Sequence, residues 1–170
     1  MIVGVKSGSI RLAPQAYERP LILVGPGTGV APMRAILEER AATRRDEDPK
    51  APCHLYFGCR KRNADFLYEA EWSARQRDGS LDKIFTAFSR DQPSKVYVQT
   101  RLRENAAKVW ELLFDRQGTF VVAGGSKMAS DIREFLVELI SKKLEIALVD
   151  AKKRLRALER ERRFQTESWS

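Results

Sequence analysis

Gly25, Gly27 and Gly29 crowd into LILVGPGTGVAPMRAILEER, residues 21–40, between an apolar run and a segment with helical apolar spacing. A glycine turn that opens a helix exposes backbone N–H groups and the positive end of the helix dipole. Together these make an anion site, most often for phosphate. Leu21 to Val24 reads as a strand covered on both faces. Pro32 suits a first helical turn, and Met33, Ile36 and Leu37 give the helix an apolar face. Two familiar phosphate patterns are excluded. Val30 and Ala31 follow Gly29 where a Walker loop needs Lys and Ser/Thr, and G-x-G-x-x-G counted from Gly27 reaches Pro32. No acidic residue closes the following strand to hold a ribose 2′-hydroxyl. A turn that serves only strand–helix packing stays open as the alternative.

A second stretch, SRDQPSKVYVQ, sets Ser89, Arg90, Lys95, Tyr97 and Gln99 around a proline turn. A hydroxyl, a guanidinium fork and a second cation can converge on one phosphate dianion. Tyr97 could lay its ring on a purine, with Gln99 hydrogen-bonding near it. Joined to the glycine turn, this predicts two phosphate sites for one dinucleotide: pyrophosphate at Gly27–Gly29 and 2′-phosphate at Ser89, Arg90 and Lys95. Cations in place of the ribose-binding acid point to NADP rather than NAD.

The elements that must hold these residues alternate between strand and helix. CHLYFG, residues 53–58, predicts a second strand, and DFLYEAEWSARQRD a helix with Phe66, Ala70 and Ala74 along one face. KIFTAFS, residues 83–89, predicts a third strand, and VYVQ a short extended piece. A helix over 100–114 and a fourth strand in TFVVAGG follow. Helices over about 128–143 and 145–162 and a short tail complete the chain. The polar stretch RRDEDPKAP is expected to be a loop. The alternation predicts an α/β fold: a doubly wound, mostly parallel sheet with helices on both faces. A ligand then lies at the carboxyl ends of the strands, where Gly25–Gly29, Gly58, Ser89 and Gly124–Gly125 fall.

With 170 residues, 43% hydrophobic and 32% charged, the chain suits one globular domain. No apolar run approaches the ~20 residues needed to span a bilayer. The N-terminus lacks the pattern of a signal peptide, so a cytosolic protein is expected. Cys53 and Cys59 face one side of a strand, too far apart for an easy disulfide, and with a single histidine they make a poor metal site. Of the net charge of +8, +5 comes from residues 142–163. Leu148, Ala151, Leu155 and Leu158 form a stripe there, as in a solvated helix packed on its own domain. An acidic protein partner is the alternative, and no nucleic-acid motif is present.

Four motifs in order resemble the NADP-binding module of the ferredoxin–NADP reductase superfamily, and within it the diflavin branch. They are VGPGTGVAPMRAILEERA, LYFGCRKRNADFLYEAEW, AFSRDQPSKVYVQTRL and the ending SWS. The tail RRFQTESWS is most similar to cytosolic members that serve iron–sulfur protein assembly. The resemblance implies that Gly27, Thr28 and Gly29 hold pyrophosphate, and that Cys59 and Arg60 lie beside the nicotinamide ribose. It implies that Ser89, Arg90 and Lys95 take the 2′-phosphate, with Tyr97 and Gln99 at the adenosine end. Trp169 would stack on the flavin and yield to nicotinamide, and Glu167 stands where a relative has a carboxylate that assists hydride transfer. Ala123 replaces a cysteine that several relatives carry.

Family members carry FAD- and FMN-binding domains ahead of this module. Residues 1–19 are therefore expected to be the end of a flavin-domain strand and its linker, and 20–170 the NADP-binding domain. The implied partners are flavin domains of the same polypeptide and an iron–sulfur or other redox protein acceptor. The piece alone is expected to be inactive. A stand-alone NADP-binding regulatory module is the alternative.

Overall fold

Leu21–Val24 forms β1 with all four side chains fully buried, the signature of a central strand covered on both faces. Its even and odd residues serve different cores. Ile22 and Val24 join one apolar cluster, Leu21 and Leu23 the other. The computed structural model describes residues 8–43 and 51–169. The expected flavin-domain strand end at residues 1–7, most of the polar loop at 44–50 and the final Ser170 lie outside the described residues.

The sheet has five strands, all parallel, in the order β3-β2-β1-β4-β5. The others are β2 Cys53–Cys59, β3 Lys83–Phe88, β4 Thr119–Gly125 and β5 Phe164–Trp169. Leu21 is level with Cys53 on one side and Thr119 on the other, and Phe120 with Phe164. One face carries α4 Val98–Glu104, α5 Ala106–Trp110, α6 Ser126–Leu144 and α7 Leu148–Arg160, whose buried residues join Tyr56, Phe120 and Phe164. The other face carries α1 Val30–Thr43, and Trp72 of α3 Glu69–Arg77. Ile10, Leu12 and Tyr17 of the lead-in segment pack there too. The chain leaves β1 for β2 on one side and reaches β4 on the other. The strand order therefore reverses at β1, and the crevice at its carboxyl end is where such folds bind ligands.

The alternation predicted from sequence is present, and several details differ. The helix expected over DFLYEAEWSARQRD is two, α2 Arg62–Asp65 and α3, separated by Tyr68 in the left-handed region at φ 61°. Trp72, not Ala70 or Ala74, fills the core, because the largest side chain sets the rotation of a short helix; its indole N–H donates to the Leu67 carbonyl at 2.8 Å. VYVQ is not extended throughout: Val98 is buried and, with Gln99, opens α4. The helix expected over 100–114 breaks at Asn105. Its side-chain amide donates to the Arg101 carbonyl at 2.8 Å and competes with the backbone for that acceptor. The same stretch ends in a widened π-type turn, Glu111–Asp115.

The short tail is the largest difference. It is β5, pairing with β4 from Phe164 to Trp169. In the basic segment Ala151, Leu155 and Leu158 pack inward as predicted, whereas Leu148 is exposed. Cys53 and Cys59 are free thiols on one face of β2. Among the described residues no helix is long and apolar enough to cross a membrane, and no cluster could hold a metal ion.

Candidate functional site

Each of the three glycines of the first turn lacks a side chain for a definite reason. A Cβ on Gly25 would collide with the Gly29 carbonyl, and one on Gly29 with the Ala123 carbonyl of β4. Those two positions are closed by the chain's own backbone, which is the packing role. Gly27 differs: it sits at φ 55°, in the left-handed region, with nothing within 4 Å of where its Cβ would stand. The turn therefore folds tightly over itself behind Gly25 and Gly29 and stays open in front of Gly27.

The turn continues without a break into α1. The Gly29 N–H donates to the Pro26 carbonyl at 3.0 Å, and the Val30 N–H to the carbonyls of Gly27 and Thr28. Gly27 and Thr28 face a cleft of about 380 Å³ together with Gly58, Cys59, Arg60 and Ser89. Ladder-like pairing persists past the ends of β2 and β3. Ser89 N–H donates to the Cys59 carbonyl at 2.9 Å and Arg90 N–H to the Arg60 carbonyl at 2.8 Å. That continuation brings Ser89 and Arg90 beside Cys59 and Arg60.

The cleft thus unites Gly27, Thr28, Cys59, Arg60 and Ser89, with Gly29 buried behind. Arg90 and Lys95 are exposed and carry no ion pair among the described residues. Tyr97 is 49% exposed, free to offer a ring face. The Gln99 amide donates to the Asp131 carboxylate on α6 at 3.1 Å. Glu167 and Trp169 lie outside the cleft, on β5, level with Ala123 and Gly125. Three strand spacings separate β5 from β2, on the order of 14 Å. Trp169 is 42% exposed, and its carbonyl accepts from the Ser126 hydroxyl at 3.1 Å.

Burial first, and then the carboxylates of Asp65 and Asp91, push the Cys59 thiol up to about 11, so it stays protonated at neutral pH. The thiol donates to the Lys61 carbonyl at 3.5 Å. That environment suits a lining group and not a nucleophile.

Sequence reasoning missed two residues that shape the site. The Gln92 amide donates to the Phe88 and Ser94 carbonyls at 2.5 and 3.0 Å, closing the loop that carries Ser89, Arg90 and Lys95. Asp65 lines the cleft and accepts from the Lys61 N–H at 3.2 Å. A polar residue beside Pro93 in a turn was the available signal for Gln92. Asp65 offered none beyond a helix-start residue type, and it closes α2 instead.

A family model described as "Oxidoreductase NAD-binding domain" matches residues 23–134. The chain is 40% identical over 99% of its length to NADPH-dependent diflavin oxidoreductase 1 of Xenopus laevis, covering 27% of that protein. It is 44% identical over 98% of its length to the Bos taurus protein of that name, again covering 27%. With NADPH–cytochrome P450 reductase of Drosophila melanogaster the identity is 38% over 99% of this chain and 25% of the relative. The chain therefore spans about a quarter of the length of the curated relatives it matches.

Proposed function

This chain belongs to the oxidoreductase NAD-binding domain family, and from that premise we propose that it is the NADP(H)-binding module of a diflavin reductase. One observation carries the reading. The open face of a helix-starting turn, Gly27–Thr28, shares a cleft with Arg60 and Ser89, and Arg90 and Lys95 follow on the Ser89 loop without ion-pair partners among the described residues. The space in front of Gly27 and the cleft volume of about 380 Å³ suit a nucleotide, since ligand pockets run from ~300 to 1,000 Å³.

In this reading Gly27, Thr28 and Gly29 hold the pyrophosphate, while Cys59 and Arg60 flank the nicotinamide ribose. Ser89, Arg90 and Lys95 grip the 2′-phosphate, and Tyr97 and Gln99 meet the adenosine. Trp169 covers the flavin ring until nicotinamide takes its place, and Glu167 assists hydride transfer beside it. When bound, NADPH would supply a hydride for FAD in the same polypeptide, with FMN as the relay to a protein acceptor, an iron–sulfur assembly protein in this reading. The module itself binds and orients. The reading includes a cytoplasmic enzyme.

Calorimetric titration of this chain with NADPH and NADH tests it. NADPH is expected to bind more tightly. Arg90→Ala is expected to remove a charge-assisted contact worth about 1.5–3 kcal/mol, weakening NADPH while leaving NADH nearly unchanged. Equal losses for both nucleotides would remove Arg90 from the phosphate site, and no preference for NADPH in the parent chain would overturn the reading.

A further inference from the structure

We propose that Gln165 is a positioning residue: its carboxamide fixes the segment that leads into this domain against β5, and so sets where the preceding chain stands relative to Glu167 and Trp169. The inference rests on the flavin-reducing role given above. Its basis is a set of hydrogen bonds spanning 154 residues of sequence. The Arg11 N–H donates to Gln165 Oε1 at 2.7 Å, and Gln165 Nε2 donates back to the Arg11 carbonyl at 3.0 Å. The same Nε2 also donates to the Arg162 carbonyl at 2.9 Å. One planar amide supplies one acceptor and both its donors, and no other neutral side chain but asparagine has that set.

The register of β5 gives these bonds their meaning. Gln165, Glu167 and Trp169 are level with Val121, Ala123 and Gly125 of β4. Successive odd positions share a face, and Val121 and Ala123 belong to the core that also packs Ile10 and Leu12. The lead-in segment therefore lies over the face of β5 that carries Gln165, Glu167 and Trp169. Arg11 meets Gln165, and a Cβ on Gly8 would stand 3.6 Å from the Glu167 carboxylate. The segment runs antiparallel to β5, so from Arg11 back to Gly8 it leads toward the carboxyl end of the sheet where Trp169 sits. Gly8, the first described residue, stands toward that end, and the Gln165 amide sets the longitudinal register of the lead-in segment.

Reacting groups misplaced by about 1 Å lose on the order of 100-fold in rate, so this register matters if a flavin is carried upstream. Two substitutions separate positioning from bulk stability. Gln165→Leu keeps volume and removes all three hydrogen bonds. Gln165→Asn keeps a carboxamide but is one methylene too short to reach Arg11. In this chain, hydrogen exchange is expected to show the Arg11 amide deprotected in both variants, with the β4–β5 ladder unchanged and NADP⁺ affinity within about twofold. In the full-length polypeptide, stopped-flow flavin reduction by NADPH is expected to slow on the order of 10- to 100-fold. An Arg11 amide that exchanges as before overturns the clamp. A freed Arg11 amide with an unchanged reduction rate overturns the positioning role. A parallel loss of ladder protection and nucleotide affinity makes Gln165 merely structural. A parent polypeptide in which NADPH reduces no flavin overturns the function itself, a result distinct from these.

Discussion

Substitutions at Gly25, Gly27 and Gly29 are expected to have different consequences, because different things occupy the space their side chains would need. Gly29→Ala drives a methyl into the β4 backbone, which cannot yield as a flexible side chain can, and should cost about 1–3 kcal/mol or more of stability. Gly27→Ala meets no atom and pays only for its left-handed φ, roughly 1–2 kcal/mol; its added methyl faces the cleft and should weaken nucleotide binding. Urea unfolding and calorimetry on both variants check the split. His54 gives a second prediction. It is buried, its Nδ1 has no protein partner, and burial, helped by Lys83 and Lys108 and opposed by Asp82 and Glu111, lowers its pKa to about 4. The folded state thus prefers the neutral ring, whose ordinary pKa is 6.5. Its stabilising contribution is present above pH 6.5 and is lost as pH falls toward 4. His54→Phe should flatten the unfolding free energy over that window relative to the parent.

Elements were legible in the sequence where burial is symmetrical and obscured where it is not. β1 and β4 are nearly continuous apolar runs because helices cover both their faces, and both stand where the residue pattern put them. β5 grows more exposed along its length, with Phe164 alone buried, and its polar residues made it read as a tail. The site followed the same rule. Glycines at strand ends announced the turn, and the cations around Pro93 announced the Ser89 loop, whereas Arg60 came only from the family resemblance. Gln92 and Gln165 act through backbone groups of other segments, and no periodicity marks that. The basic helix α7 tests how far burial governs. Leu155→Ala, at 1% exposure, should cost about 2–5 kcal/mol, and Leu148→Ala, at 55%, should stay within ~0.5 kcal/mol in urea unfolding.

At the scale of the whole molecule, two cores share one sheet, and the right-hand end of that sheet is made by β5. Its six residues are held by the ladder to β4, by Phe164 against Phe120, and by the Arg163 guanidinium just before it, donating to the Gly118 and Leu113 carbonyls. Removing residues 164–169 should leave β4 with an unpaired, apolar edge. Size-exclusion chromatography is expected to show oligomers or aggregate, where the parent chain elutes as a single small species. The order of the elements carries this into the living cell. β4 is completed at Gly125, but its outer partner is synthesised only after α6 and α7 have been made. Through that interval the nascent chain presents a bare strand of Phe, Val and Ala. Vectorial synthesis therefore gives this module a built-in window of chaperone dependence, and slow translation through α7 would lengthen it.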